Sequence, residues 1–510
     1  MVSKAASFSA FVGEQIRKTR QQPLRLVIIP LSLVLSDATL LELQQRIRLM
    51  TTRAKDPLGT WRAQRERLAG RIADAAEERL ERDRPDQAWT LFKCCLKLTS
   101  DPANYLRAAY CLLQGAGRAC EALELFARAN KLRREQAERL GVSKNPYRLL
   151  DGFWAGGIGH IAEIDHVVKL GILEGRKPED TIVYFPHYVK PPNRFLFEQW
   201  RPHVRVIEQA SDLPFSEEVA GAVRFEYKGP ALPDGMTVYY WTLAADTYRR
   251  WEAQKRKPLL TLPEDVRARG WSTLRGRGIS DNAWFVALHV REANSKPRQR
   301  RSVAALNANV LDFLPAITEI TRRGGWVIRM GDPNMAPLPP MPNVFDYCHS
   351  DVRSDCMDIF IASQCRFFLG TSSGPAYVPP AYGVSCVLTN WWPPAHRPWH
   401  AGDIFIPKLC RHARGRRLTL NEMLQEPVGY SYSSGYLAAK HKVVVEDSTP
   451  DDIRSAMIEM LDRLGGGERV FASDQALHDR VSRIFASNGA FGMARMSTGF
   501  LRKYQNDLLE

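Results

Sequence analysis

The sequence predicts an α/β protein in which two Rossmann-like domains of parallel strands face a cleft, preceded by a helical region. Three observations predict it. Residues 37–140 carry apolar residues at helical spacing, with Leu40, Leu41, Leu43 and Ile47 at the start. From about residue 145, short β-branched or aromatic runs alternate with helical stretches, the pattern of βαβ units. The alternation comes in two series, separated at 257–282 (KPLLTLPEDVRARGWSTLRGRGISDN). At roughly 150 residues per domain, 510 residues suit about three domains. Apolar residues at 45% and charged residues at 25% exclude a disordered chain, a collagen-like repeat or a small disulfide scaffold.

The helical region spans 1–140. Its segment 24–35 (LRLVIIPLSLVL) is apolar but interrupted by Arg25 and Pro30, too short to span a bilayer. It reads as a buried strand or helix start, or as an in-plane membrane contact aided by Lys4, Arg17, Lys18 and Arg20. No small-residue cleavage site follows it, so a signal peptide is not expected. Ala88-Trp89-Thr90-Leu91-Phe92 matches Ala122-Leu123-Glu124-Leu125-Phe126 at an offset of 34, the tetratricopeptide period, and Asp101-Pro102 falls where a new helix pair would begin. Such helix pairs form protein-contact surfaces, not catalytic ones.

The first α/β domain spans 145–270, with strands at 181–185 and 203–207 and helices at 161–174 and 193–200. The second spans 280–445, with strands at 284–289, 326–330, 366–369 and 385–388 and helices at 309–323, 355–364 and 374–382. Residues 446–510 read as helix.

Lys and Arg number 71 against 56 Asp and Glu, a formal charge of +15, which calls for an anionic partner: nucleic acid, a membrane surface or a phosphorylated small molecule. No nucleic-acid motif accompanies the charge, so no nucleic acid is expected. The nine cysteines are scattered and lack a Cys-x-x-Cys pair. They read as small buried thiols in a reducing compartment, without structural zinc.

Three loops carry candidate chemistry. Gly156-Gly157-Ile158-Gly159-His160 precedes a helix and lets backbone approach a ligand, or simply makes a tight turn. It lacks the G-x-G-x-x-G spacing, which disfavours a dinucleotide oxidoreductase. His160, Glu163 and Asp165 offer a base at its mouth or are solvated helix-start residues. The second loop follows the strand 284–289: His289, Arg291 and Glu292 run into Lys296, Arg298, Arg300 and Arg301. Ligands of open α/β sheets bind beyond strand carboxyl ends, and an arginine there grips two phosphate oxygens. The plain alternative is a solvated basic loop. The third, Gly370-Thr371-Ser372-Ser373-Gly374, offers hydroxyl and backbone donors to phosphate. Upstream, Asp355 reads as a helix cap, and either it or Asp358 reaches a ribose hydroxyl. Trp391 and Trp392 stack on a ligand or pack in the core. No Asp-x-Asp occurs, nor a Walker loop, so arginine and lysine are expected to neutralise phosphate in place of a metal.

The run from FVALHVRE through FLPAITEITRRGGWVIRMGDP, DIFIASQCRFFLGTSSG and GVSCVLTNWWP to DIFIPKL resembles a bacterial family of glycosyltransferases encoded with surface-polysaccharide or other glycan-building genes. The resemblance covers about 150–445 and is strongest over 284–410. That family is similar in turn to fucosyltransferases of the protein O-fucosylation and nodulation type. The resemblance implies a GT-B fold, with a sugar nucleotide, often a GDP-sugar, in the C-terminal domain. It places His289 and Arg291 on the first two positions of a His-x-Arg-x-x-Asp motif whose arginine holds the donor diphosphate, Ser372 and Ser373 in the phosphate loop, and Asp358 at the nucleoside. The motif's last position is Asn294 here, a departure from the family pattern.

The function expected is a metal-independent glycosyltransferase, with Arg291 stabilising the departing diphosphate and His160, Glu163 or Glu292 as base. Lys296, Arg298, Arg301, Thr371, Ser372, Ser373 and Gly374 would bind substrate. Its partners would be a nucleotide sugar, with no other cofactor, and a glycan, lipid-linked or protein acceptor. The setting would be cytoplasmic, with room for peripheral contact on the inner membrane face. The rivals are a GT-B-like epimerase or hydrolase, and a non-catalytic basic binding module.

Overall fold

The computed structural model describes residues 57–143, 147–186, 189–293, 301–467 and 471–510. Segment 24–35 lies outside them. Two compact units divide at Leu132 and Arg133, inside the helix Ala119–Arg139.

The first unit is helical. Pro57–Glu81 and Pro85–Leu96 form a hairpin whose turn includes Asp83 at φ 58°. Pro102–Tyr110 follows, capped by the Asp101 side chain accepting from the Ala103 N–H at 2.9 Å, with Pro102 at the first position. Ala73, Ala76, Ala88, Leu91 and Phe92 form the core. Ala88 and Phe92 are fully buried in one helix; their matches 34 residues on, Ala122 and Phe126, are buried in Ala119–Arg139.

The second unit is mixed α/β. Strands β1 (Arg148–Leu150), β2 (Thr181–Tyr184) and β3 (Arg205–Ile207) make a parallel sheet in that order. A larger parallel sheet joins β4 (Phe285–His289), β5 (Trp326–Arg329), β6 (Val344–Phe345), β7 (Phe368–Thr371), β8 (Cys386–Trp391), β9 (Ile404–Pro407) and β12 (Arg495–Met496), in the order β12-β9-β8-β7-β4-β5-β6. β10 (Leu409–His412) and β11 (Val443–Glu446) pair antiparallel beside it. Every residue of β4, β7 and β8 is buried, as continuous apolar runs in a covered parallel sheet require. One apolar core is continuous across both sheets.

Several expectations are corrected. The helix expected over 161–174 is two helices, Ile158–Ala162 and Ile164–Leu173, meeting at Glu163. That over 374–382 shrinks to short turns at Gly374–Tyr377 and Val378–Ala381, because Pro375, Pro379 and Pro380 cannot donate backbone bonds. The region 446–510 is not wholly helical: β12 adds a strand to the edge of the large sheet beside β9. The helix Asp355–Gln364 is capped by Ser354, whose side chain accepts from the Met357 N–H at 3.2 Å. Asp355 instead accepts from the Arg194 N–H at 2.5 Å, holding the start of Arg194–Glu198. The nine cysteines are free thiols, eight of them buried or half-buried and Cys120 exposed.

A close backbone contact ties the smaller sheet's helices to the larger sheet. A Cβ on Gly159 would lie 2.7 Å from the Cα of Gly374, and one on Gly374 would lie 2.9 Å from the N of Gly159. Gly159 therefore serves approach of the chain to itself, where the sequence suggested approach to a ligand. Gly374→Ala is expected to cost about 1–3 kcal/mol, the usual range for overpacking, read as a lowered urea midpoint; an unchanged midpoint would show that the contact can relax.

Candidate functional site

Adjacent strands β4 and β7 are parallel, with His289 opposite Gly370. Their carboxyl ends thus deliver the His289–Glu292 and Thr371–Gly374 segments to one place. The Thr371 Oγ1 accepts from the Arg291 N–H at 3.0 Å. Ser373 Oγ donates to the Thr371 carbonyl at 3.2 Å and lies 3.1 Å from His289 Nδ1. With the hydroxyl's one proton on the Thr371 carbonyl, His289 Nδ1 is the donor to Ser373 Oγ. Burial, with Arg291 and Arg329 nearby, lowers the His289 pKa to about 4. Ser372 Oγ accepts from the Trp392 N–H at 2.7 Å. Gly370 has no alternative, since a Cβ there would lie 2.6 Å from the His289 carbonyl. The hydroxyl loop is thus held rigid by internal bonds, and Arg291 follows from a fixed backbone.

Arg291 is half-buried, and burial lowers its pKa. Tyr432 is near enough to interact electrostatically with both Arg291 and Glu163. Glu163 sits at the break between its two helices and is 3% exposed. Tyr227 donates to its Oε2 at 2.6 Å, while its Oε1 is buried without a partner. Burial raises the Glu163 pKa to about 7, opposed by Lys228 and by the Tyr227 hydrogen bond. Lys228 is buried too, between the rings of Tyr227 at 4.4 Å and Trp241 at 4.1 Å, and burial lowers its pKa to about 7. His396 stacks on Trp241 at 4.0 Å, with Nε2 2.6 Å from the Tyr239 hydroxyl and Nδ1 3.4 Å from that of Tyr432.

The other sequence candidates lie as follows. His160 stacks on Phe153 at 4.2 Å, meets Tyr227 edge-on at 5.2 Å, and places Nδ1 3.2 Å from the Phe153 carbonyl. Asp165 is buried, paired with Lys169 at 2.5 Å and accepting from Tyr248 at 2.7 Å. Glu292 pairs with the fully buried Arg329 at 2.8 Å and accepts from the Ala336 N–H at 3.1 Å. Its carboxylate neutralises an interior guanidinium, which is poor placement for a base. Asp358 accepts from the Tyr347 hydroxyl at 2.8 Å, and burial raises its pKa to about 6. Lys296 and Arg298 lie outside the described residues, as does the side chain of Arg301. Trp391 and Trp392 are core residues, with indole N–H groups donating to the His396 and Ser431 carbonyls. Asp346, Cys348 and His349 bring potential metal-ligand atoms within 4.8 Å of one another, but Arg329 and the Leu338 N–H already engage Asp346.

Sequence reasoning missed Tyr227, Lys228, Trp241, His396 and Tyr432. The signal was compositional: FEYKG, VYYW and YSYSSGY place aromatic side chains beside charges and glycines, without a helix or strand period.

No protein family and no curated protein matches the chain. Among solved structures it is similar to a glycosyl transferase family 9 protein from Veillonella parvula, at 14% identity over 60% of this chain and 79% of that one, with a TM-score of 0.29. It is also similar to TibC, an iron-containing dodecameric glycosyltransferase from enterotoxigenic E. coli, at 11% identity over 48% of this chain and 57% of that one, with a TM-score of 0.27.

Proposed function

We propose that the protein is a metal-independent glycosyltransferase of GT-B type, moving a sugar from a nucleotide sugar, for which a GDP-sugar is the first choice, to a hydroxyl of a glycan or other glycoconjugate. The observation that carries this reading is Arg291, anchored through Thr371 at the ends of two adjacent strands, with Tyr432 in electrostatic reach of both it and the buried carboxylate of Glu163. Arginine at a strand end suits a diphosphate, and a carboxylate titrating near 7 suits a base at neutral pH. The absence of Asp-x-Asp supports arginine as the neutralising charge.

In this reading the anomeric carbon–oxygen bond to the diphosphate breaks, and its electron pair leaves on a phosphate oxygen beside Arg291. Charge grows there in the transition state, so that contact strengthens as the bond breaks. The acceptor oxygen bonds to the anomeric carbon from the Glu163 side, and its proton passes to the carboxylate. Tyr227 fixes Oε2, which leaves Oε1 for the acceptor hydroxyl. His289 and Ser373 hold the loop that orients Arg291. The family resemblance of the sequence adds surface-polysaccharide synthesis as the setting.

A thermal-shift series with GDP, UDP, ADP, CMP and dTDP tests the donor site, since a ligand bound by the folded state alone raises its stability. A nucleoside diphosphate is expected to raise Tm, with GDP foremost. No shift with any of them would count against the reading.

A further inference from the structure

Lys228 is 4% exposed, yet its ammonium has no hydrogen-bond or ion-pair partner among the described residues. The faces of Tyr227 and Trp241 flank it, and the carboxylates of Glu163 and Glu226 lie within electrostatic reach without forming an ion pair with it. Glu163 has its Oε1 buried without a partner, and Lys228 is close enough to oppose the rise of the Glu163 pKa without forming an ion pair with it. Burying an ammonium without an acceptor is unfavourable. A single ligand carrying both an anion and a hydroxyl would satisfy the ammonium of Lys228 and Oε1 of Glu163 together. Aromatic rings continue outward from them: Tyr227 meets Phe153 at 5.0 Å, and Phe153, 39% exposed, carries His160 stacked on it. An exposed ring at the rim is a surface on which the apolar face of a sugar packs.

Resting on the transferase reading above, we propose that Lys228 binds an anionic substituent of the acceptor, so that the acceptor is an acidic glycan. Its terminal sugar carries a carboxylate or a phosphate toward Lys228 and the reacting hydroxyl toward Glu163 Oε1. The ammonium then gains the acceptor it lacks, and the hydroxyl is fixed against the base by a second point of attachment. Lys228 is thereby a specificity-determining residue, and Trp241 and Tyr227 are the walls that keep water from competing with the anion.

The test uses the full chain with one nucleotide-sugar donor and three acceptor oligosaccharides: glucuronic-acid-terminated, the carboxyl-reduced glucose counterpart, and glucose-6-phosphate-terminated. The unchanged protein is expected to favour one of the acidic acceptors over the neutral one by at least tenfold in kcat/KM, and which one tells carboxylate from phosphate. In Lys228→Met that preference falls toward unity through a higher KM for the acidic acceptor, and Lys228→Arg retains part of it. Equal kcat/KM for acidic and neutral acceptors, or a preference unchanged in Lys228→Met, overturns the proposal. Titration of the same oligosaccharides against Trp fluorescence, without donor, reads the subsite separately. Acidic-selective binding lost in Lys228→Met supports the anion subsite even if no donor is turned over, an outcome that would instead remove the transferase reading.

Discussion

Arg291→Ala is expected to lower sugar transfer by roughly 10²–10³-fold or more, the range seen when one donor to a developing negative charge is removed. The loss should fall on kcat as well as kcat/KM, because the guanidinium meets a charge that grows only as the diphosphate leaves. The fold should survive. The backbone N–H of Arg291, not its side chain, makes the bond to Thr371, and the alanine variant keeps it. Circular dichroism and the urea midpoint check that point. Near-normal transfer by a folded Arg291→Ala would remove the arginine from the donor site. Lys in its place should recover only part of the rate, since an ammonium is a point charge where the guanidinium is a two-pronged donor.

Glu163→Gln is expected to cost about 10²–10⁴-fold in transfer, the usual share of a general base. It also changes the pH profile, and the sign is fixed by the chemistry. The carboxylate is the active form, so activity in the unchanged protein falls as pH drops through about 7, where burial has moved this group. Lys228 works in the opposite sense: its cation is lost as pH rises through about 7, so kcat/KM with an acidic acceptor falls on the alkaline side. The profile is therefore bell-shaped and narrow around neutrality. In Glu163→Gln the acid limb disappears and the alkaline limb remains. An acid limb that persists in this variant would assign the base elsewhere, and His160 is the next group on that side.

The parallel sheet was legible because strands buried on both faces must be continuous apolar runs, and β4, β5, β7 and β8 are such runs. β6 and β12 were not, being two residues each and made strands only by the neighbours they pair with. The strand-end half of the candidate site was legible for a similar reason. His289, Arg291 and the Thr371–Gly374 loop stand at strand ends, where chain direction alone predicts ligand contact. The half around Glu163 was not. Glu163 was one of several acidic or basic residues near a glycine loop, and what distinguishes it is burial against Tyr227, 64 positions away. Lys228, His396 and Tyr432 come from segments far apart in the chain, so the local aromatic composition around Lys228 and Tyr432 does not show that the three come together. Glu292, closer in sequence to Arg291 than any other acid, is drawn off by Arg329 from the neighbouring strand, a pairing set by sheet order that the sequence does not display.

The most direct measurement is product analysis by mass spectrometry after incubation with nucleotide sugars, with and without a hydroxyl acceptor. A transferase with Arg291 at the diphosphate and Glu163 at the acceptor releases nucleoside diphosphate faster when acceptor is present and yields the acceptor heavier by one sugar. Free sugar or an epimerised nucleotide sugar, with the acceptor unchanged, would contradict it.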